Sequence, residues 1–490
     1  GMVAYSRGKG ASPEEILPYE HEAEDAAAVV EWIAQQPWSN GDVGMYGASY
    51  EGFAAWAAAK HMPSALRAIA PVAAALPGQG LPMMNNVFLS ANYGWPFLVA
   101  NNRTLDVGTY NDPGRWSALY QDWFASGRPY RDLDAIDGTP NPFLQRWLDH
   151  PAYDAYWQAM APYADDFASI DIPVLSITGY YDDGQISALH YLREHYRLRP
   201  DAEHYLVIGP YDHFGAGAPR KARELRGYHV DPAAQFSTEA LTFAWFDHVL
   251  RGAPRPALLE DRINYQIMGA NRWGHAPSLE AMAEETLRLY LAPAPGEAFH
   301  RLSQTPPDTA GALVQTVDLA SRGTIHNEYY PDPVQGGAPD FETGLAFISD
   351  PLPQAVELSG LLSGRLNITI NKRDADLGVR LYEVQADGTL FHLSYWLGRA
   401  SHAADQTARA LLTPGEPAVI DFDRSYLVSR RIEAGHRLLV VADVNKNPWH
   451  QINYGTGGDV SAESIADAGE PLRVEWANDS YVELPVTRLD

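Results

Sequence analysis

Apolar positions along the chain change their rhythm three times. A short apolar run at 2–6, closed by Arg7-Gly8-Lys9-Gly10, predicts a buried strand. Val29, Trp32 and Ile33 then fall at i, i+3 and i+4, which predicts a helix over about 21–36. Glu22, Glu24 and Asp25 suit its N-terminal end, and Pro37-Trp38-Ser39-Asn40-Gly41 breaks it. A strand at Val43–Tyr46, a tight turn from Gly47 to Gly52, an Ala-rich helix to about Lys60 and a strand at Leu66–Val72 follow. Strand, helix, strand, helix at this spacing reads as a parallel sheet with crossover helices.

From about 75 to 165 strands become scarce, and Pro, Trp and Tyr become dense (Trp95, Trp116, Trp123, Trp147, Trp157). Helices near 141–149 and 151–160 fit this stretch, which reads as a helical insertion. The sheet resumes with a strand at Val174–Thr178, a helix near 185–197 and a strand at Tyr205–Ile208, before an aromatic helix over about 233–250. Beyond about 260 short alternating strands recur, at 286–291, 357–369, 378–384, 390–397, 417–422, 437–443 and 471–484. Turns such as Ala386-Asp387-Gly388 separate them, and the pattern suggests a β-sandwich or jelly roll.

Composition narrows the classes. The 490 residues carry 36 basic and 62 acidic side chains, a net charge of −26. Nucleic-acid binding needs basic surface, so no such partner is expected. No apolar run is long enough to span a membrane. With no cysteine there is no disulfide and no thiolate nucleophile or metal ligand. The compartment stays open, as does a homo-oligomer.

The sharpest chemical signal is Val43-Gly44-Met45-Tyr46-Gly47-Ala48-Ser49-Tyr50-Glu51-Gly52. A strand enters a turn of small residues and leaves as a helix, the setting of a nucleophile elbow. Ser49 would stand on the turn at the helix N-terminus, and the Tyr50 N–H would donate to an oxyanion. The plainer alternative is a Gly-rich turn with a helix-capping serine. A nucleophile also needs a base, and the base an orienting acid. The strand at 174–178 leads into Gly179-Tyr180-Tyr181-Asp182-Asp183-Gly184, and the strand at 205–208 into Gly209-Pro210-Tyr211-Asp212-His213. Ser49, Asp182 and His213 thus follow in the order Ser, acid, His, each just past a strand's carboxyl end. Asp183 and Asp212 compete as the acid; Asp183 is the better pocket residue and Asp212 the better turn cap.

These residues carry a resemblance. The chain resembles the cocaine-esterase and X-Pro dipeptidyl-peptidase (S15) family of serine hydrolases, which includes α-amino-acid ester hydrolases. The motifs are Trp32-Ile33-Ala34-Gln35-Gln36-Pro37-Trp38-Ser39-Asn40-Gly41, Gly47-Ala48-Ser49-Tyr50-Glu51-Gly52, Gly179-Tyr180-Tyr181-Asp182 and Gly209-Pro210-Tyr211-Asp212-His213. Met268-Gly269-Ala270-Asn271-Arg272-Trp273 and Ile348-Ser349-Asp350-Pro351-Leu352 extend it nearly to the end. The glycine three residues after the serine, Gly52, makes the match specific. The resemblance implies an α/β-hydrolase core at 1–75 and 166–255, a helical cap at 76–165 and a C-terminal jelly-roll sandwich at 256–490. It favours Asp182 as the acid and implies no cofactor and no metal. The substrate would be a small-molecule ester or a peptide. An acyl esterase is the first expectation, with an X-Pro dipeptidyl-peptidase or a catalytically impaired scaffold binding ligands through the jelly roll as alternatives. Tyr93, Trp95, Trp157, Tyr181 and Asp183 are candidate pocket residues, with core packing the plain alternative for the aromatic ones.

Two departures from the family follow. Amino-acid ester hydrolases place a Glu and an Asp two and three residues after the acid; here those positions are Gly184 and Gln185. The family's second oxyanion donor, a Tyr hydroxyl on an early loop, would precede Gly1. By the same comparison residues 2–6 stand for the fourth sheet strand and 43–46 for the fifth, and the strand between them in space is absent. The expectation is therefore an N-terminally truncated chain, in which 2–6 pair with 43–46 or lose their place in the sheet.

Overall fold

The computed structural model describes residues 1–337, 341 and 343–489. Its first sheet has six strands: β1 (Val43–Ala48), β2 (Leu66–Val72), β3 (Val174–Tyr181), β4 (His204–Asp212), β5 (Ile263–Ile267) and β6 (Arg272–Ala276), neighbours in that order. β1 to β5 run parallel, and β6 returns antiparallel along β5. All eight residues of β3 are buried, as expected of a central strand covered on both faces.

Helices α1 (Glu22–Ala34), α2 (Tyr50–Lys60), α3 (Gln185–Leu198), α4 (His213–Gly217) and α5 (Thr238–Arg251) accompany this sheet. The alanines of α2 let it lie close to the strands. Its two large inward residues, Phe53 and Trp56, are fully buried, and Trp56 stacks on Tyr191 of α3 at 4.5 Å. Between β2 and β3 the chain makes a short hairpin, Met83–Met84 with Val87–Phe88. It then forms a series of short helices, of which Pro113–Ser126 is the longest.

β5 and β6 lie beyond residue 256, where the sandwich was expected to begin, yet they extend the first sheet. The sandwich strands start with Glu285–Ala292, and fourteen strands from there to Arg488 join into a second, largely antiparallel sheet. The stretches 357–369 and 471–484 each divide into two strands. Val356–Leu361 pairs with Leu427–Ile432, whereas Ser363–Ile370 turns to Pro417–Phe422. The turn at Asn478-Asp479-Ser480 separates Leu472–Ala477 from Tyr481–Arg488.

Residues 2–6 are a correction. They form no strand, and Val3 and Tyr5 are 82 % and 74 % exposed. A strand is stable only against a neighbour that takes up its N–H and C=O groups. Among the described residues β1 pairs only with β2, so its other edge is open, and 2–6 do not reach it.

Candidate active site

Three segments far apart in the chain meet at the carboxyl ends of β1, β3 and β4. Ser49 stands between β1 and α2 with φ 59° and ψ −117°. Positive φ in a non-glycine residue is strained backbone, and it lifts the side chain clear of the turn. The Ser49 hydroxyl does not cap α2, which removes the plainer reading of this serine. It lies 2.9 Å from Nε2 of His213 instead. Tyr50 is the first residue of α2, where a backbone N–H has no acceptor within the helix.

His213 opens α4, directly after β4. Asp212 caps that helix through the Gly215 N–H at 2.7 Å. Lys221 pins its far end, with Nζ 2.7 Å from the Gly215 carbonyl and 2.9 Å from that of Ala216. On its other side the His213 ring places Nδ1 2.7 Å from Oδ1 of Asp182. A carboxylate can only accept, so Nδ1 carries the proton and the neutral ring leaves Nε2 free to accept from Ser49.

Asp182 is fully buried and held from three directions. Besides His213 it accepts from the Thr178 hydroxyl at 2.6 Å and the Gly184 N–H at 2.8 Å. Burial opposes a charge on His213, but the Asp182 carboxylate outweighs it, and Asp183 and Asp212 add to the pull. The imidazole is raised to about 9.

The neighbouring Asp183 is placed differently. It is half-buried and makes no hydrogen bond among the described residues. Burial raises it to about 6, against the opposing influence of His213. The side chains gathered around it come from elsewhere in the chain. Tyr330, pushed up to about 12 first by burial and then by Asp183, is one. Arg226 is another; its guanidinium lies 4.5 Å from the Tyr330 ring centre and 5.8 Å from that of Tyr181. Asp183 also lines a small pocket with Tyr395, Tyr426 and His392, and among the described residues both ring nitrogens of the buried His392 lack a partner.

The aromatic candidates separate by burial. Tyr93 and Trp157 are at most 1 % exposed; the first bonds Asp137 at 3.1 Å, and the second donates to the His150 carbonyl at 2.8 Å. Both are packed inside the helical insertion rather than brought to Ser49. Tyr181 is buried where the two sheets meet, its hydroxyl donating to the His392 carbonyl at 3.1 Å. Trp95 comes nearer the nucleophile: it stacks on Tyr19 at 5.0 Å and lies 5.4 Å from Tyr50. The Tyr50 hydroxyl in turn donates to the buried Glu22 of α1.

Thr178, Lys221, Glu22, Arg226 and Tyr330 have no sequence signature. Thr178 sits in plain view four residues before Asp182. A strand threonine, though, carries no mark of what its hydroxyl will meet.

Comparison with known proteins shows which family the chain resembles. Residues 2–215 match the X-Pro dipeptidyl-peptidase (S15) family, and residues 259–464 match the X-Pro dipeptidyl-peptidase C-terminal non-catalytic domain. The chain is 24 % identical to cocaine esterase from Rhodococcus sp. (strain MB1 Bresler) over 99 % of its own length and 88 % of the relative's. An α-amino acid ester hydrolase structure superposes with a TM-score of 0.76 at 21 % identity, covering 98 % of this chain and 84 % of the other. An aminopeptidase from a marine-sediment Thaumarchaeota archaeon gives 0.76 at 19 %, with the same coverage.

Proposed function

The chain belongs to the X-Pro dipeptidyl-peptidase (S15) family and is a serine hydrolase; from that premise we propose that it is an acyl esterase working by two-step acyl transfer at Ser49. The observation that supports this best is the continuous chain of hydrogen bonds from Ser49 through His213 to Asp182, at 2.9 and 2.7 Å. His213 Nε2 takes the Ser49 proton as Oγ attacks the ester carbonyl carbon. Asp182 holds the imidazole in the required tautomer and stabilises the imidazolium. The Tyr50 N–H, at the positive end of α2, donates to the tetrahedral oxyanion. The leaving alcohol receives the proton from His213. Water, deprotonated by His213, then attacks the acyl-Ser49 carbonyl, and His213 returns the proton to Ser49 Oγ as the acid is released.

The test is labelling with a fluorophosphonate, together with Ser49→Ala. Wild type should form one adduct, on Ser49, and Ser49→Ala should lose p-nitrophenyl acetate turnover. Undiminished turnover would remove Ser49 from the mechanism. A wild-type chain that takes no label would favour a scaffold that binds without catalysing.

Asp183 supports a second, narrower reading, in which the acyl group carries a cation, as in amino-acid esters or X-Pro amides. Gln185 cannot serve as that anchor, since its amide is committed to the Gly179 and Leu427 backbone. Asp183 is the free carboxylate beside the base. Asp183→Asn should raise KM for an amino-acid ester or an X-Pro anilide and leave the KM for p-nitrophenyl acetate nearly unchanged. Equal effects on charged and neutral substrates would reject the anchor.

A further inference from the structure

A cleft of about 520 Å³ lies between α3, the turn after β6 and the sandwich edge at Asp423–Ser425. Ser49, Asp182 and His213 take no part in it. Its volume is that of a small-molecule site. Ile186, Leu189 and Ile263 give it an apolar wall.

The charge inside runs against that of the whole protein. The chain has a net charge of −26, yet four arginines face three carboxylates in the cleft. Two arginines are spoken for. Arg193 pairs with Asp423 at 2.7 Å and Arg197 with Glu194 at 2.6 Å. Arg262 lies over the Tyr196 ring at 4.8 Å. Among the described residues neither Arg262 nor Arg424 is ion-paired. Glu280 is the remaining carboxylate. His190 lines the same cleft; burial first, and then Arg424, Arg193 and Arg197 against the opposing Glu194, push it down to about 4, so it stays a neutral hydrogen-bonding group at pH 7.

We propose that this cleft is a second ligand site, taking a small organic monocarboxylate with an apolar body between the guanidinium groups of Arg262 and Arg424 and the wall formed by Ile186, Leu189 and Ile263. A guanidinium without a carboxylate partner is a ready receptor for one. The apolar wall and Glu280 disfavour an ion such as phosphate, which brings more charge and no apolar surface. The site is separate from the acyl-transfer centre and does not depend on it.

Calorimetric titration of the full chain with 4-phenylbutyrate tests this, with 4-phenylbutanamide and inorganic phosphate as controls. The acid should bind saturably at one site, and the neutral amide at least about tenfold more weakly, as loss of a charged hydrogen-bond partner implies. Ser49→Ala should bind the acid like wild type. Arg262→Ala/Arg424→Ala should weaken it by at least about tenfold. Leu279→Trp, which fills the cleft without touching a charge, should do the same and decides the matter if the double variant fails to fold. No saturable binding of the acid, equal binding of the amide, or full binding by the folded cleft variants would overturn the proposal. Phosphate binding more tightly than the acid would overturn the carboxylate assignment.

Discussion

His213 owes its raised proton affinity to three nearby carboxylates, of which only Asp182 is bonded to it. A general base must be neutral to accept the Ser49 proton. Ester hydrolysis should therefore rise with pH to a midpoint near 9, well above that of an ordinary histidine. Asp183→Asn removes one of the charges that raise His213, so the midpoint of kcat/KM against pH should move to lower pH; a fixed midpoint would mean that Asp183 does not act on the base. Asp182→Asn should keep the fold and cost about 10⁴ in kcat, because the amide can stabilise the wrong tautomer. The same proton bears on stability. A histidine raised from 6.5 to about 9 stabilises the fold fully below about pH 6.5, and that contribution is lost as pH rises through about 9. The melting-temperature gap between wild type and His213→Gln should shrink over that interval.

The elbow between β1 and α2 works because its small residues let a helix leave a strand within one sharp turn. A Cβ on Gly47 would sit 2.3 Å from Cβ of Glu51, and one on Gly52 would meet Ala74 at 3.0 Å. Gly47→Ala should cost about 1–3 kcal/mol from overpacking and lower kcat with it, because relief of the clash moves Ser49. Differential scanning calorimetry alongside ester turnover checks both, and a fully stable, fully active variant would contradict the packing argument. This element was legible in the sequence. The strand, the turn of small residues and the helix are contiguous, and local sterics dictate them. The neighbouring element was not legible in the same way. Residues 2–6 read as a strand by composition, but pairing is non-local, and an apolar run cannot say whether a partner strand lies beside it. The strand merged at 357–369 misled for a related reason: alternation continues across Leu362 while the hydrogen-bond partners change.

Across the whole molecule, the two sheets are joined close to the site. Gln185, the first residue of α3, accepts from the Leu427 N–H at 2.6 Å and donates to the Leu427 carbonyl at 3.1 Å and the Gly179 carbonyl at 2.9 Å. Asn85 donates to the Leu397 carbonyl at 2.8 Å, and Gln79 bonds Gln406 at 2.8 Å. Gln185→Leu should leave buried backbone groups unpaired, at about 1–3 kcal/mol each. It should lower the melting temperature and, by loosening the loop at Asp182, also kcat. A loss of stability with kcat untouched would separate the junction from the site. The sequence by itself determined the elbow, the order of Ser49, Asp182 and His213, and the change from βα units to short antiparallel strands, because each rests on contiguous residues and local periodicity. Only the tertiary structure decided which groups hold Asp182 in place, which aromatic residues are packing, and where the unpaired arginines gather. Those outcomes depend on which distant segments fill the space around a side chain, and no local pattern records that.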